Sequence, residues 1–120
     1  MEDYREEATG INRSILAELK KIHRRQDLQY ALPKLEKLYN NLTDVMIAAH
    51  AFKEKNPKSE SLPLNYDNHA LSEAIRDEMN RIFKIEGGRD LLEKAQEQAL
   101  FRLDAYLLKS ASNRSLRNRN

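Results

Sequence analysis

Apolar residues recur every three or four positions along most of the chain, and this periodicity limits the possible folds more than any other feature. The first run consists of Tyr4, Ala8, Ile11, Ile15, Leu19 and Ile22. Steps of three and four place such residues on one side of an α-helix, whereas a half-buried strand alternates at every second residue. We find no strand-like alternation in the sequence, so we predict an all-α protein.

Four runs of this kind are separated by the few turn residues that the chain has. Only three Gly and three Pro occur among its 120 residues. We predict helices at 3–25, 33–55, 68–86 and 89–109, with a linker at 56–67. Pro33 sets the expected start of the second helix, because proline fits the first turn of a helix and not its interior. Gly87-Gly88 ends the third helix, since glycine accepts the backbone conformation found there.

Four amphipathic helices of similar length, two pairs of them joined by short connections, indicate a helical bundle. A very short connection requires its two helices to pack antiparallel. We therefore predict one domain, residues 1–109, folded as an antiparallel four-helix bundle with up-down-up-down topology. Residues 110–120 have three Arg and no acidic residue, and we expect a flexible, disordered basic C-terminal tail there. The sequence shows no internal repeat.

Two of the predicted helices have apolar residues on more than one side. Ile47 and Ala51 project away from the main apolar stripe of the second helix, and Phe101, Ala105 and Leu108 project away from that of the fourth. A helix that is apolar on two sides is either covered on both or presents one to a partner. Three explanations stay open: the linker or a shifted helix covers these residues, they form a protein-binding or self-association surface, or they are ordinary scattered apolar residues.

The apolar residues that continue the main stripes of these two helices are expected to face the core. They include Met46 and Phe52 at the end of the second helix and Leu107 near the end of the fourth, because each continues the main stripe of its helix.

The net charge of +2 comes from the C-terminal segment and not from the predicted bundle. Residues 1–109 have 18 basic and 19 acidic side chains. The candidate anion contacts are a cluster near the end of the first helix and the Arg residues of the tail: Lys20, Lys21, Arg24, Arg25, Arg114, Arg117 and Arg119. They could bind the phosphates of nucleic acid or an anionic membrane surface. Alternatively, they complement a helix dipole and solubilise the tail, which has no aromatic residue to stack on a base.

Several kinds of chemistry are missing from the sequence. The chain has no Cys, which excludes disulfides, thiol catalysis, iron–sulfur clusters and Cys-based zinc sites. No acidic residue precedes His23, His50 or His69 by three positions, so the Glu-x-x-His pattern of di-iron bundles is missing. Glu78 and Glu86 are the acids nearest to an apolar stripe, where burial could shift a carboxyl pKa, but a surface position explains both. We predict no catalytic residue, no cofactor, no metal and no small-molecule substrate.

Function must therefore be inferred from surfaces, since no motif in the chain resembles that of a known family. We predict a non-enzymatic protein–protein interaction module: an adaptor, a chaperone-like subunit, an inhibitor or the soluble part of an exported protein. The expected partner is another protein or a second copy of the chain. The alternative is a nucleic-acid-associated regulator that uses the 20–25 basic cluster and the Arg-rich tail.

Hydropathy and the N-terminal residues give the expected compartment. The longest apolar run, 45–49, is far shorter than the roughly 18 residues that a membrane helix needs, so we expect a soluble chain without a transmembrane segment. The acidic N-terminus lacks the pattern of a signal peptide. Cytoplasmic localisation is the default expectation, and an exported protein whose leader has been removed is the alternative.

Overall fold

The computed structural model describes residues 4–56 and 66–118, and the side chains within 4–56 and 69–111. It contains the helices α1 (Tyr4–Lys20), α2 (Arg25–Lys55), α3 (Tyr66–Phe83) and α4 (Gly88–Asn118). The described residues include no strand, so the predicted all-α class is confirmed. The helices pack side by side in an elongated bundle with principal extents of 55 × 29 × 19 Å.

The chain forms two helical hairpins of matching dimensions. In the first, α1 has 17 residues and α2 has 31, and in the second, α3 has 18 and α4 has 31. Both long helices bury apolar residues at successive steps of three and four: Leu28, Ala31 and Leu35 in α2, and Leu92, Ala95 and Ala99 in α4. The two hairpins correspond in helix length and in the spacing of buried residues, and this correspondence does not appear as a repeat in the sequence.

The two hairpins lie side by side. The short helix of one packs along the short helix of the other, and the long helix along the long helix. α2 packs along α4 and α1, and α1 packs along α3, whereas α3 has only a small contact with α4. Across the part of the chain that the structure describes, the backbones of α1 and α4 do not come close to each other, and neither do those of α2 and α3. The bundle is therefore closed along three of its four sides and most open between α3 and α4.

Hydrogen bonds between α2 and α4 give the relative direction of these helices. Their bonded residues are separated by 56 positions in each of three cases: Thr43 with Ala99, His50 with Tyr106, and Glu54 with Ser110. A constant separation means that α2 and α4 run in the same direction.

α1 runs opposite to α2. Glu18, near the end of α1, pairs with Lys34 in the first part of α2, and Tyr4 at the start of α1 lies against Phe52 near the end of α2. The ring centroids of Tyr4 and Phe52 are 5.9 Å apart. The short connection at 21–24 produces this antiparallel arrangement.

The buried core lies toward the connection end, the end of the bundle where residues 21–24 and 84–87 join the helices. Its largest fully buried side chains come from all four helices and from the first connection: Ile15, Leu19, Ile22, Leu28, Leu35, Ile82 and Leu92. Burying each aliphatic side chain of this size stabilises the fold by about 1.5–3 kcal/mol.

Arg81 of α3 caps the C-terminal end of α1. Its guanidinium donates hydrogen bonds to the backbone oxygens of Ile22 at 2.7 Å and Leu19 at 3.0 Å. Its Nε donates to Glu78 at 2.7 Å, which holds the guanidinium in place. The last carbonyls of a helix have no partner within the helix, so α3 supplies the donors that α1 lacks.

The second helix begins earlier than Pro33 predicts. α1 ends at Lys20 instead of residue 25, and α2 starts at Arg25 and continues through Pro33. Asp27 provides the start signal, because its carboxylate accepts hydrogen bonds from the backbone N–H groups of His23 at 3.0 Å and Arg24 at 3.1 Å. Pro33 is exposed, so the hydrogen bond that its missing N–H removes from the helix lies at the surface.

The fourth helix continues beyond its predicted end. It reaches Asn118 instead of residue 109, so the expected flexible tail at 110–120 is helical as far as the structure describes it. No Gly or Pro follows Gly88, and the chain therefore has no residue that would stop the helix. The linker residues 57–65 and the final residues 119–120 lie outside the described part. None of the helices in that part is long and apolar enough to cross a membrane.

Candidate protein-interaction surface

The side of α4 that points away from α2 exposes large apolar residues. Phe101 is 73% exposed and Leu108 is 71% exposed, and Ala105 between them is exposed as well. At 100° per residue these three lie roughly opposite Tyr106 and Ser110, which contact α2. We name Phe101, Ala105 and Leu108 the α4 outer face.

Polar contacts hold α4 against α2 and determine which side of α4 points outward. Thr43 donates its hydroxyl hydrogen to the backbone oxygen of Ala99 at 3.3 Å. Two turns later, the Tyr106 hydroxyl lies 3.1 Å from His50 Nδ1, and the two rings meet edge to face with 5.4 Å between centroids. Ser110 donates to Glu54 at 2.6 Å. These contacts hold α4 in one orientation, with its outer face directed away from α2.

Arg102 adds a further contact between the same two helices. Its guanidinium donates to Asn40 Oδ1 at 2.8 Å and to the carboxylate of Asp44. The positive charge of Arg102 is therefore directed toward α2 and away from the α4 outer face.

Acidic residues surround the first half of the α4 outer face. Beside Phe101 is an open depression whose charged lining residues are Asp90, Glu93, Lys94, Glu97 and Asp104. Four of these five side chains are acidic, so Phe101 lies in a locally negative surface.

The structure separates the five residues that the sequence suggests as one interface. Ile47 and Ala51 are half-buried, and Ile47 lies between Thr43 and His50 on the side of α2 that contacts α4. Since the α4 outer face points away from α2, α4 stands between Ile47 and Phe101. Only Phe101, Ala105 and Leu108 come together on one accessible surface.

Other exposed apolar residues were not expected. Met46, Phe52 and Leu107, which the spacing predicts to face the core, are 44%, 36% and 41% exposed, and Leu100 is 54% exposed. Leu100 and Leu107 form a second row, about a quarter turn from the α4 outer face. The sequence contains the signal for this row in the seven-residue spacing, but it does not show that the bundle is open on that side.

The predicted basic residues do not form one patch. Lys20, Lys21, Arg24 and Arg25 are exposed at the connection end. Arg114 and Arg117 belong to the last turns of α4, and Arg119 lies outside the described residues. At 1.5 Å per residue, the backbone of Arg114 is about 39 Å from the start of α4. The cluster and the tail therefore lie at opposite ends of the bundle.

Glu18, Asp27 and Tyr39 have shifted pKa values, and each shift has a structural explanation. The buried carboxyl of Glu18 has a lowered pKa, chiefly because Lys34 hydrogen-bonds to it at 2.8 Å, with Lys21 adding to the effect at 3.4 Å. Backbone donors, His23 first, lower the pKa of Asp27. Burial raises the pKa of Tyr39.

These groups do not form a catalytic or metal-binding constellation. Glu18, Asp27 and Tyr39 each interact with different neighbours, and Glu78 is paired with Arg81. Among the described residues no group of three or more His, Asp or Glu side chains could hold a metal ion.

A comparison of the chain with known protein families, curated proteins and solved structures finds no significant match.

Proposed function

We propose that this protein is a non-enzymatic protein–protein interaction module that binds its partner through the α4 outer face. The observation that carries the proposal is the pair of large, exposed apolar side chains, Phe101 and Leu108, two turns apart on one helix. Aromatic and aliphatic anchors presented on a rigid helix are typical of surfaces that dock into a groove or against another helix.

The packing of α4 supports this proposal. Because the contacts with α2 already hold the helix in one orientation, a partner would not have to order it on binding. A surface that is ordered beforehand loses less conformational entropy in the complex. An adaptor, a chaperone-like subunit, an inhibitor and the soluble part of an exported protein all require such a surface, and the proposal covers all four roles.

The proposal includes the up-down-up-down path of the chain. The constant separation of 56 residues between α2 and α4 and the antiparallel contact of α1 with α2 support it.

The nucleic-acid alternative has less support, because its two basic segments lie at opposite ends of the bundle and the surface beside Phe101 is acidic. Binding to DNA or RNA that falls steeply with salt, and that deletion of residues 110–120 abolishes, would favour this alternative.

The double variant Phe101→Ser with Leu108→Ser tests the proposal. We expect it to lose the protein complexes, with itself or with other proteins, that the wild type forms in cross-linking and light-scattering experiments. The control is Tyr30→Ser, which removes an aromatic ring that is 91% exposed on α2 and should leave those complexes intact. Both variants should melt within about 5 °C of the wild type, since substitutions at exposed positions change stability little.

Two outcomes would contradict the proposal. Complexes that persist in the double variant would show that the α4 outer face is not the binding surface. A large drop in its melting temperature would show that Phe101 and Leu108 belong to the core.

A further inference from the structure

We propose that the connection end of the bundle binds anionic membrane surfaces through a basic surface that both connections form. We name its exposed side chains the basic cap: Lys20, Lys21, Arg24, Arg25, Lys84 and Arg89. The first four lie close together in the sequence, and the fold adds the last two from the second connection and the start of α4. The basic cap is separate from the α4 outer face, so this inference goes beyond the proposed function.

Contacts between distant parts of the chain bring two basic segments together, residues 20–25 and 84–89. Arg81 of α3 donates hydrogen bonds to backbone oxygens at the end of α1 and in the first connection, so the two short helices end side by side. A Cβ at Gly87 would lie 3.3 Å from the guanidinium carbon of Arg25, so the start of α2 reaches the second connection. The bases of the two segments therefore belong to one end of the bundle.

Positive charge predominates on the basic cap. The two segments have six Lys or Arg side chains and one acid, Glu86. Two flanking acids have partners within the fold, since Asp27 accepts hydrogen bonds from backbone N–H groups and buried Glu18 pairs with two Lys side chains. A third, Asp90, begins the acidic surface on the side of α4. The end of the bundle is therefore positive and adjoins a negative side.

Helix stability does not account for the Arg residues of the basic cap. Arg24 and Arg25 lie at the start of α2, and Arg89 lies at the start of α4. The N-terminal end of a helix has a partial positive charge, so cations are unfavourable there and anions are favourable. Lys20 and Lys84 differ, because they lie at the C-terminal ends of α1 and α3, where a cation stabilises the helix. The three Arg residues therefore favour an anionic ligand outside the chain.

A flat anionic surface fits the basic cap better than a nucleic acid does. The bundle has principal extents of 55 × 29 × 19 Å, so a plane that meets its end contacts the basic cap and little else. A nucleic acid that extended along the bundle would meet the acidic surface beside Phe101. The two segments have no Phe, Tyr or Trp to stack on a base, and the ring of Phe83 lies under the Arg89 guanidinium. Anionic lipid headgroups attract Lys and Arg side chains at a membrane surface.

Co-sedimentation of the full chain with lipid vesicles tests the inference. The chain should bind vesicles made of equal parts phosphatidylserine and phosphatidylcholine, and it should not bind vesicles of phosphatidylcholine alone. Raising the salt from about 50 mM to about 500 mM should weaken the binding at least about tenfold, because salt screens surface charges. No binding to the phosphatidylserine vesicles at the lower salt, or equal binding to both kinds of vesicle, would overturn the inference.

Double variants in each segment test whether both contribute. One is Arg24→Gln with Arg25→Gln, and the other is Lys84→Gln with Arg89→Gln. Each removes two positive charges from the basic cap and should weaken vesicle binding at least about tenfold. A variant of either segment that binds as well as the wild type would contradict a surface formed by both connections.

The matched control is Lys37→Gln with Lys55→Gln, which removes the same charge from exposed positions of α2. Their backbones lie about 18 Å and about 45 Å along the helix from Arg25. Binding should stay within about threefold of the wild type, and an equal loss would show that net charge and not the basic cap determines binding. All variants should melt within about 5 °C of the wild type. A large drop for either double variant of the basic cap would assign its residues to the fold instead.

Fluorophores on single engineered cysteines test the end-on orientation, and the chain has no native Cys to interfere. A label on Gln26→Cys, next to the basic cap, should be quenched by nitroxides on the lipid headgroups. A label on Lys55→Cys is the control, because its backbone lies about 44 Å farther along α2. Equal quenching of the two labels would overturn end-on binding.

A duplex oligonucleotide distinguishes a membrane from a nucleic acid as the partner. If duplex DNA at the same phosphate concentration releases the chain from phosphatidylserine vesicles, the basic cap is a nucleic-acid site and the inference is wrong. The Phe101→Ser, Leu108→Ser variant should bind the vesicles as the wild type does. Loss of vesicle binding in that variant would place the membrane contact on the α4 outer face, whereas its loss of protein complexes alone concerns only the proposed function.

Discussion

The connection end of the bundle and the second half of α4 use similar apolar residues in opposite ways. At the connection end Leu19 and Ile82 are fully buried, and side chains from all four helices surround them. In the second half of α4, Phe101 and Leu108 are more than two-thirds exposed, although their spacing is equally helical. The difference shows that an apolar stripe marks a side of a helix that can be buried. Whether it is buried within the chain depends on whether another helix packs against it.

The two regions also differ in how their helices are joined. Aliphatic packing predominates at the connection end, whereas hydrogen bonds of Thr43, His50 and Ser110 recur along the contact of α2 with α4. Polar contacts have directional requirements that apolar contacts lack. They therefore fix the rotation of α4 and keep its outer face directed toward solvent.

Truncation of one residue in each region should give a large contrast. Leu19→Ala removes a fully buried side chain and should lower the free energy of unfolding by about 3 kcal/mol. Phe101→Ala removes a larger side chain but should change it by less than about 0.5 kcal/mol, because the ring is mostly exposed. Urea denaturation of both variants at a concentration where the wild type is monomeric measures the difference. Similar losses would mean that the α4 outer face is packed within the chain.

Two glycines provide a contrast of nearly the same size. A Cβ at Gly88 would lie 2.1 Å from the backbone oxygen of Ile82, so Gly88→Ala should cost about 3 kcal/mol through overpacking. At Gly10 a Cβ would meet nothing within 4 Å, and Gly10→Ala should stabilise α1 by up to about 1 kcal/mol. Thermal melts of the two variants should shift in opposite directions. A stable Gly88→Ala variant would contradict the close approach of α3 and α4 at their connection.

Removal of the Arg81 guanidinium tests how α3 stabilises the end of α1. Arg81→Met should lower the free energy of unfolding by about 2 kcal/mol, since two charge-assisted hydrogen bonds to Leu19 and Ile22 are lost. Arg76→Met, at an exposed position of the same helix, is the control and should stay within about 0.5 kcal/mol of the wild type. If the two substitutions lower the free energy of unfolding equally, the loss comes from changes within α3 and not from the capping contact.

The smallest expected effect concerns Glu18 and depends on pH. Because Lys34 and Lys21 lower the pKa of Glu18 in the folded state, the ionised carboxylate stabilises the fold above its ordinary pKa. This contribution should be lost as the pH falls through the lowered pKa. Glu18→Gln should therefore cost about 1 kcal/mol at pH 7, and the cost should shrink as the pH is lowered to about 2. Denaturation at both pH values provides the check, and a cost that does not change with pH would assign it to packing.

Local features of the chain were predictable where one residue controls them. The helical periodicity identified all four helices, and Gly87-Gly88 identified the connection between the last two. Pro33 predicts a later start for the second helix, whereas the structure shows that an exposed proline can lie within a long helix. The predicted end of α4 is nine residues too early. The polar composition after Lys109 predicts disorder, but the helix continues through these residues to Asn118.

The amino-acid pattern alone establishes the all-α class and the positions of the apolar stripes. Which stripes are covered depends on contacts between residues far apart in the chain, and these contacts are visible only in the packed bundle. α4 packs on α2 and hardly touches α3, so Leu100, Leu107 and the α4 outer face are exposed although their spacing resembles that of the core. Periodicity reports that one side of a helix is apolar, and only the packed bundle shows whether another helix reaches it.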